Sequence, residues 1–204
     1  MLVAFLSIME DWKGNYNSIF VTLGATSHGK ENREINDFYA TEPKALELLL
    51  KIENFKDVWE CACGQGHLSE VLKKQNIHKR SSDLINRGYS SDIFDFLSID
   101  NLKWTGDIIT NPPYRYAKEF VEKSLQIIEN GNKVAMFLKI QFLESQGRKN
   151  IFQTQPPKKI YISSSRLNCA KNGDFVKYKS SAICYAWFVW EKGFKGKTII
   201  EWFN

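Results

Sequence analysis

Asn111-Pro112-Pro113-Tyr114 follows directly on Asp107-Ile108-Ile109-Thr110. The β-branched run reads as a buried parallel strand. Two prolines, which cannot donate to a sheet ladder, end it. One amide and one aromatic ring are thereby displayed at the carboxyl end of a strand, where open α/β sheets bind ligands. This pairing suits methyl transfer to a planar exocyclic amine, whose delocalised lone pair makes it a poor nucleophile. Acceptors fixed on the amino hydrogens, the Asn111 side-chain oxygen and the Pro112 carbonyl, would favour the pyramidal nitrogen as charge develops. That is electrostatic preorganisation with no formal general base. Tyr114 would supply a stacking face for a base, worth roughly 1–3 kcal/mol. The plainer alternative is a Pro-Pro turn in which Asn and Tyr are incidental.

Upstream, Asp57 to Leu68 runs from an apolar strand through Gly64-Gln65-Gly66 into a helix that begins at His67. Paired glycines let backbone amides approach a ligand closely, and the helix N-terminus favours an anionic group. Asp83 ends a second strand seventeen residues past Gly66, a spacing at which an acid can hold both ribose hydroxyls of a nucleoside cofactor. Asp95, followed by Phe96, falls where a carboxylate and a ring could bracket an adenine. A helix or turn cap is the competing role for Asp95.

In this order the motifs resemble those of Rossmann-like, S-adenosylmethionine-dependent amino-methyltransferases with an Asn-Pro-Pro-Tyr motif. More narrowly, the chain resembles the small phage-type DNA adenine-N6 methyltransferases. The likeness rests on Asp37 to Pro43, Glu60 to Gly66, Asp83, Asp95-Phe96 and Asn111 to Tyr114. It implies S-adenosyl-L-methionine as cofactor and a class I methyltransferase fold. Tyr39 and Thr41 would close over the methionine part of the cofactor, lined by Glu60, Gly64 and Gly66. Asp83 would hold the ribose, and Asp95 with Phe96 the adenine. Asn111, Pro112, Pro113 and Tyr114 would be the catalytic set. Two departures are Cys61, where many relatives carry Pro, and Glu42, which separates Thr41 from Pro43. Neither removes a contacting group.

The elements needed to position these residues are legible. At 204 residues the chain is long enough for one α/β domain with a full core and too short for two. Residues 1–36 are expected to form a partly ordered N-terminal arm, and residues 37–204 a single methyltransferase domain. Strands are predicted at 57–62, 79–84, 107–110 and 133–140, with helices starting near Thr41-Glu42-Pro43, at His67 and over 116–129. Their alternation argues a doubly wound, mostly parallel sheet. Three further strands, 158–163, 182–190 and 198–203, suggest an antiparallel C-terminal hairpin at the sheet edge.

Charge and composition point to a partner. The net charge is +5, and from Arg148 to Lys197 eleven Lys/Arg face only Asp174 and Glu191. A basic half beside a methyl-transfer site suits a polyanion. Within Ser164–Ser180, Arg166, Lys171, Phe175, Lys177 and Tyr178 interleave positive and aromatic groups, as contacts to single-stranded or flipped bases require. A solvated surface turn is the alternative. The resemblance implies adenine N6 in DNA, with which this charge pattern agrees, and adenine in DNA is the leading substrate. RNA adenine, cytosine N4, a protein glutamine amide, or a non-catalytic nucleic-acid-binding subunit of the same fold stay open. The three His and four Cys lack metal-ligand spacing, so no metal is expected and the cysteines read as small packing residues. The apolar stretch Met1–Met9 is too short to span a membrane and lacks a basic flank, which favours a cytoplasmic location.

Overall fold

A computed structural model describes residues 38–90, 92–171, 173–176 and 183–204. The expected arm, residues 1–36, lies outside the described residues, as do Lys177 and Tyr178. The elements in chain order are β1 (Tyr39–Thr41), α1 (Pro43–Leu49), β2 (Val58–Glu60), α2 (His67–Lys74), β3 (His78–Ser81), β4 (Ile108–Thr110) and α3 (Ala117–Ile127). They continue with β5 (Lys133–Lys139), α4 (Lys149–Thr154), β6 (Lys159–Ser163), β7 (Cys169–Lys171), β8 (Tyr185–Glu191) and β9 (Ile199–Phe203).

Seven strands form one sheet in the order β3-β2-β4-β5-β8-β6-β9, and β1 pairs with β7 in a separate two-stranded ladder. β3, β2, β4 and β5 are mutually parallel. The chain leaves β2 for β3 on one side and returns to β4 on the other. Such a reversal of strand order opens a crevice beyond the carboxyl ends of the strands.

The sheet is covered on both faces. Ala45, Leu46 and Leu49 of α1 and Leu68, Val71 and Leu72 of α2 pack on one, against Ile109, Ala135, Phe137 and Trp187. Phe120, Val121 and Leu125 of α3 and Ile151 of α4 pack on the other, against Ile108, Met136, Phe188 and Trp190. Consecutive residues of β5 and β8 thus feed opposite layers, the period-two consequence of the pleat. At the end of the sheet away from the crevice, Asp107 laces three strands. Its Oδ2 accepts from the Lys56 amide and its Oδ1 from the Lys133 amide, both at 2.7 Å.

The C-terminal strands depart from the expected hairpin. β8 is antiparallel to both β5 and β6 and lies between them, while β9 runs parallel to β6 at the edge. The reason is burial. Tyr185 to Trp190 are all buried, so β8 needs neighbours on both sides. β9 exposes Ile199, Ile200 and Trp202, which an edge position tolerates. The start of α1 also differs. Glu42, not Thr41, is the N-cap residue, and it makes no side-chain cap bond. Thr41 instead ends β1. Within the segment expected to be a polar loop, Cys169–Lys171 forms β7, paired with Tyr39–Thr41.

Candidate active site

A cavity of about 460 Å³ opens at the crevice. Its wall is made by the residues that immediately follow β2, β3 and β4, together with β1. Tyr39, Thr41, Glu60, Asp83, Asp95, Phe96, Asn111 and Pro113 all line it. Five separate stretches of sequence, read as one site, therefore converge on one volume.

The loop after β2 turns sharply. Gly64 and Gly66 have φ of +55° and +83°, values that suit glycine. A side chain at either would also collide, since a Cβ would lie 2.3 Å from the ring of Phe38 or of Tyr89 respectively. The cavity wall passes through Cys63 and His67 and leaves out both glycines. Asp83 braces this loop: its Oδ2 accepts from the Gly64 amide at 2.7 Å, and its Oδ1 from the Ile85 amide at 2.9 Å. Asp95 does act as a cap, accepting from the Leu97 amide at 2.9 Å and from the Ser98 hydroxyl at 2.6 Å, while also lining the cavity. Phe96 is buried, stacked on Phe120 with centroids 5.1 Å apart.

Glu60 is 2% exposed and hydrogen-bonded by the Ser69 hydroxyl. Burial raises its pKa to about 8, with the nearby Asp83 adding to the rise and the Ser69 bond opposing it. Its carboxyl is therefore mostly protonated at neutral pH. Burial likewise pushes the Cys61 thiol well up and that of Cys63 to about 12, so neither is a thiolate nucleophile. His67 is shifted down by burial and stays neutral at pH 7.

At the end of β4 the Asn111 amide is held by its nitrogen. Nδ2 donates to the Tyr39 carbonyl at 2.7 Å. Oδ1 is buried and has no hydrogen-bond partner among the described residues, and the same holds for Thr41 Oγ1. Pro112 is buried. Tyr114 does not line the cavity. Its ring is half-buried, stacked on Tyr185 with centroids 5.9 Å apart and 6.3 Å from Tyr39. Its hydroxyl lies 3.2 Å from Cys169 Sγ, and the Lys139 ammonium sits 4.9 Å from the ring centroid. Burial moves the phenol pKa well up.

Of the expected substrate residues, Arg166, Lys171 and Phe175 lie among those described. Arg166 is exposed, and Lys171 ends β7. Phe175 is half-buried, edge-on to His67 at 5.4 Å, so it packs on the first residue of α2. Lys177 and Tyr178 lie outside the described residues. Sequence reasoning missed Arg87, which lines the cavity with its guanidinium 4.2 Å from the Phe38 ring centroid and its Nε buried without a hydrogen-bond partner among the described residues. It also missed Cys169 and Tyr185 beside Tyr114. Neither has a local signal, because each reaches the site from a distant strand. Among the described residues no group of three or more His, Cys, Asp or Glu could hold a metal ion, and no helix is long and apolar enough to cross a membrane.

No protein-family model matches the sequence, and no curated protein does. Solved structures do match in fold. One, assigned provisionally as a class I S-adenosylmethionine-dependent methyltransferase from Listeria monocytogenes, aligns with a TM-score of 0.52 at 11% identity, covering 78% of this chain and 62% of that one. The M protein of the type I restriction enzyme EcoKI aligns with a TM-score of 0.54 at 15% identity, covering 87% and 47%. A provisionally named hemolysin from Lactococcus lactis gives 0.51 at 13%, covering 76% and 89%. The chain thus spans about three-fifths of the first structure and about half of the second. The likeness establishes a class I methyltransferase fold.

Proposed function

We propose that the protein is an S-adenosylmethionine-dependent methyltransferase acting on an exocyclic amine, with adenine N6 in DNA as its substrate. The observation that carries this reading is the orientation of Asn111. With Nδ2 bound to the Tyr39 carbonyl, Oδ1 is left as a buried, unpartnered acceptor at a cavity wall. A buried acceptor without a partner is unfavourable unless a ligand completes it. An amino group does so, and as its nitrogen gains positive charge the bond strengthens, which lowers the barrier.

The residues present fit the cofactor. The cavity volume falls in the range of small-molecule sites. Glu60, once ionised, would take a cationic amino group, and the Thr41 hydroxyl is a further unpartnered group in the wall. Asp83 would hold the ribose hydroxyls while bracing the Gly64 amide. Phe96 offers an apolar wall for the adenine, beside Asp95. The cofactor supplies an electrophilic methyl group. The chain orients the amine, with Asn111 Oδ1 and the Pro112 carbonyl as acceptors. Tyr114 would stack on the target base, held in place by Tyr185 and Cys169.

Nucleic acid as the substrate class is supported by the basic C-terminal half and by the fold likeness to a protein whose name places it in a restriction enzyme. Transfer of labelled methyl groups to DNA, RNA and protein, followed by nucleoside mass spectrometry, tests the reading. N6-methyladenine in DNA is expected; label in RNA or protein alone would replace the substrate. Asn111→Ala is expected to lose about 100-fold or more in turnover while keeping cofactor affinity. Turnover retained within a few-fold would remove the amine-activation mechanism.

A further inference from the structure

We propose that Cys169 is a positioning residue for the amine-methylation reaction: its sulfur joins the Tyr114 hydroxyl and the Asn111 amide nitrogen at one buried point and, together with the Tyr39 carbonyl, holds the amide with its oxygen toward the substrate. The proposal rests on the reading of Asn111 given above. Cys169 is 9% exposed. Its Sγ lies 3.2 Å from the Tyr114 hydroxyl and 3.9 Å from Asn111 Nδ2. The amide nitrogen carries two hydrogens, and two acceptors flank it: the Tyr39 carbonyl at 2.7 Å and this sulfur. A flipped amide would turn Oδ1 toward the Tyr39 carbonyl, acceptor against acceptor. Both donors satisfied, one orientation remains, and it leaves Oδ1 without a partner in the wall.

The two acceptors also belong to one ladder. Cys169 pairs with Thr41, and Tyr39 with Lys171, across β1 and β7. The backbone that carries the carbonyl and the side chain that carries the sulfur therefore move as a unit. Burial pushes the thiol up to about 11, with the Tyr114 bond opposing the rise. At neutral pH the group is an uncharged thiol, suited to hydrogen bonding and unsuited to nucleophilic attack.

Cys169→Val and Cys169→Ser separate bonding from filling. Valine occupies the space without a hydrogen bond, and serine bonds through its hydroxyl. Turnover on DNA, the Michaelis constant, cofactor affinity by calorimetry and thermal stability are measured for each. Cys169→Val is expected to lose about 10- to 100-fold in kcat, as small displacements of reacting groups do, with cofactor affinity unchanged within about twofold. Cys169→Ser is expected to retain most of kcat. Where Cys169→Val fails to fold, Cys169→Ala carries the same comparison.

A second readout needs neither cofactor nor substrate. In isotope-labelled free protein, the side-chain amide protons of Asn111 are expected to exchange slowly in wild type and Cys169→Ser and faster in Cys169→Val. Valine with wild-type kcat and exchange, or serine as impaired as valine, would overturn the positioning role. If the wild type transfers no methyl group to DNA while the exchange pattern holds, the substrate reading fails and the amide anchor stands.

Discussion

Lowering the pH is expected to loosen the hold on S-adenosylmethionine, because Glu60 must be ionised to pair with the cofactor's amino group. In the free protein its pKa is raised to about 8, chiefly by burial. At pH 7 ionising it costs on the order of 1 kcal/mol of the binding free energy. Below its pKa each unit down makes the carboxylate up to about tenfold scarcer, so the dissociation constant is expected to rise several-fold, up to about tenfold, between pH 7 and pH 6. An α-amino group stays cationic over that interval, so the cofactor's own titration does not supply the slope. Binding at pH 7 releases up to about one proton as the pair ionises the carboxylate. Calorimetry in buffers of different ionisation enthalpy reads both quantities. His67 lines the same cavity, but burial lowers its pKa. Glu60→Gln separates the two groups, since it keeps a partner for Ser69 and cannot titrate. A dissociation constant in the wild type that is flat between pH 6 and 7, or a Glu60→Gln variant with the same slope, would refute the assignment.

The same carboxyl bears on stability with the opposite pH sense: the folded state binds more protons than the unfolded one between the ordinary carboxylate pKa and about 8. Stability is therefore expected to fall as pH rises through that window, and less so in Glu60→Gln, as thermal melts across the range will show. Asp83→Ala removes a charged acceptor from the Gly64 and Ile85 amides, and a loss of about 1–3 kcal/mol in cofactor binding is expected; unchanged affinity by calorimetry would remove Asp83 from the site. Asp107→Ala strips a buried acceptor from two backbone amides at the far end of the sheet, so denaturant unfolding is expected to show a loss of about 3 kcal/mol or more, with cofactor affinity per folded molecule intact. Neutralising Lys171 and Lys177 is expected to flatten the salt dependence of DNA binding by up to about two units of slope; identical slopes would shift the substrate surface elsewhere.

The cavity wall was legible in the sequence because its parts are local. Glu60, Asp83 and Asn111 each follow a strand directly or end one, and parallel strands deliver whatever follows them to the same edge. Asp95 is the cap that was the competing role for it, and it lines the cavity as well. The glycines were legible as turn formers, but their faces meet Phe38 and Tyr89, and nothing in the local pattern announces those rings. β7 was not legible, since three residues in a polar stretch carry no period of their own and gain strand character through β1. The place of β8 was open to a closer reading. Tyr185 to Trp190 is an unbroken apolar run, the pattern of a strand enclosed on both sides, whereas Glu201 interrupts β9.

The ladder between β1 and β7 also sets an order of assembly. The Asn168 amide reaches the Glu42 carboxylate across 126 positions of sequence, whereas β2, β4 and β5 find one another over much shorter spans. Pairings of large sequence separation form late, because the chain between them must first be gathered. On the ribosome, Tyr39 and Thr41 emerge ahead of β2 to β6 and wait for their partner strand until all of these have been made. The carbonyl that orients Asn111 thus gains its neighbouring strand only after β2 to β6 have been made, and just before β8 arrives to fill the middle of the sheet.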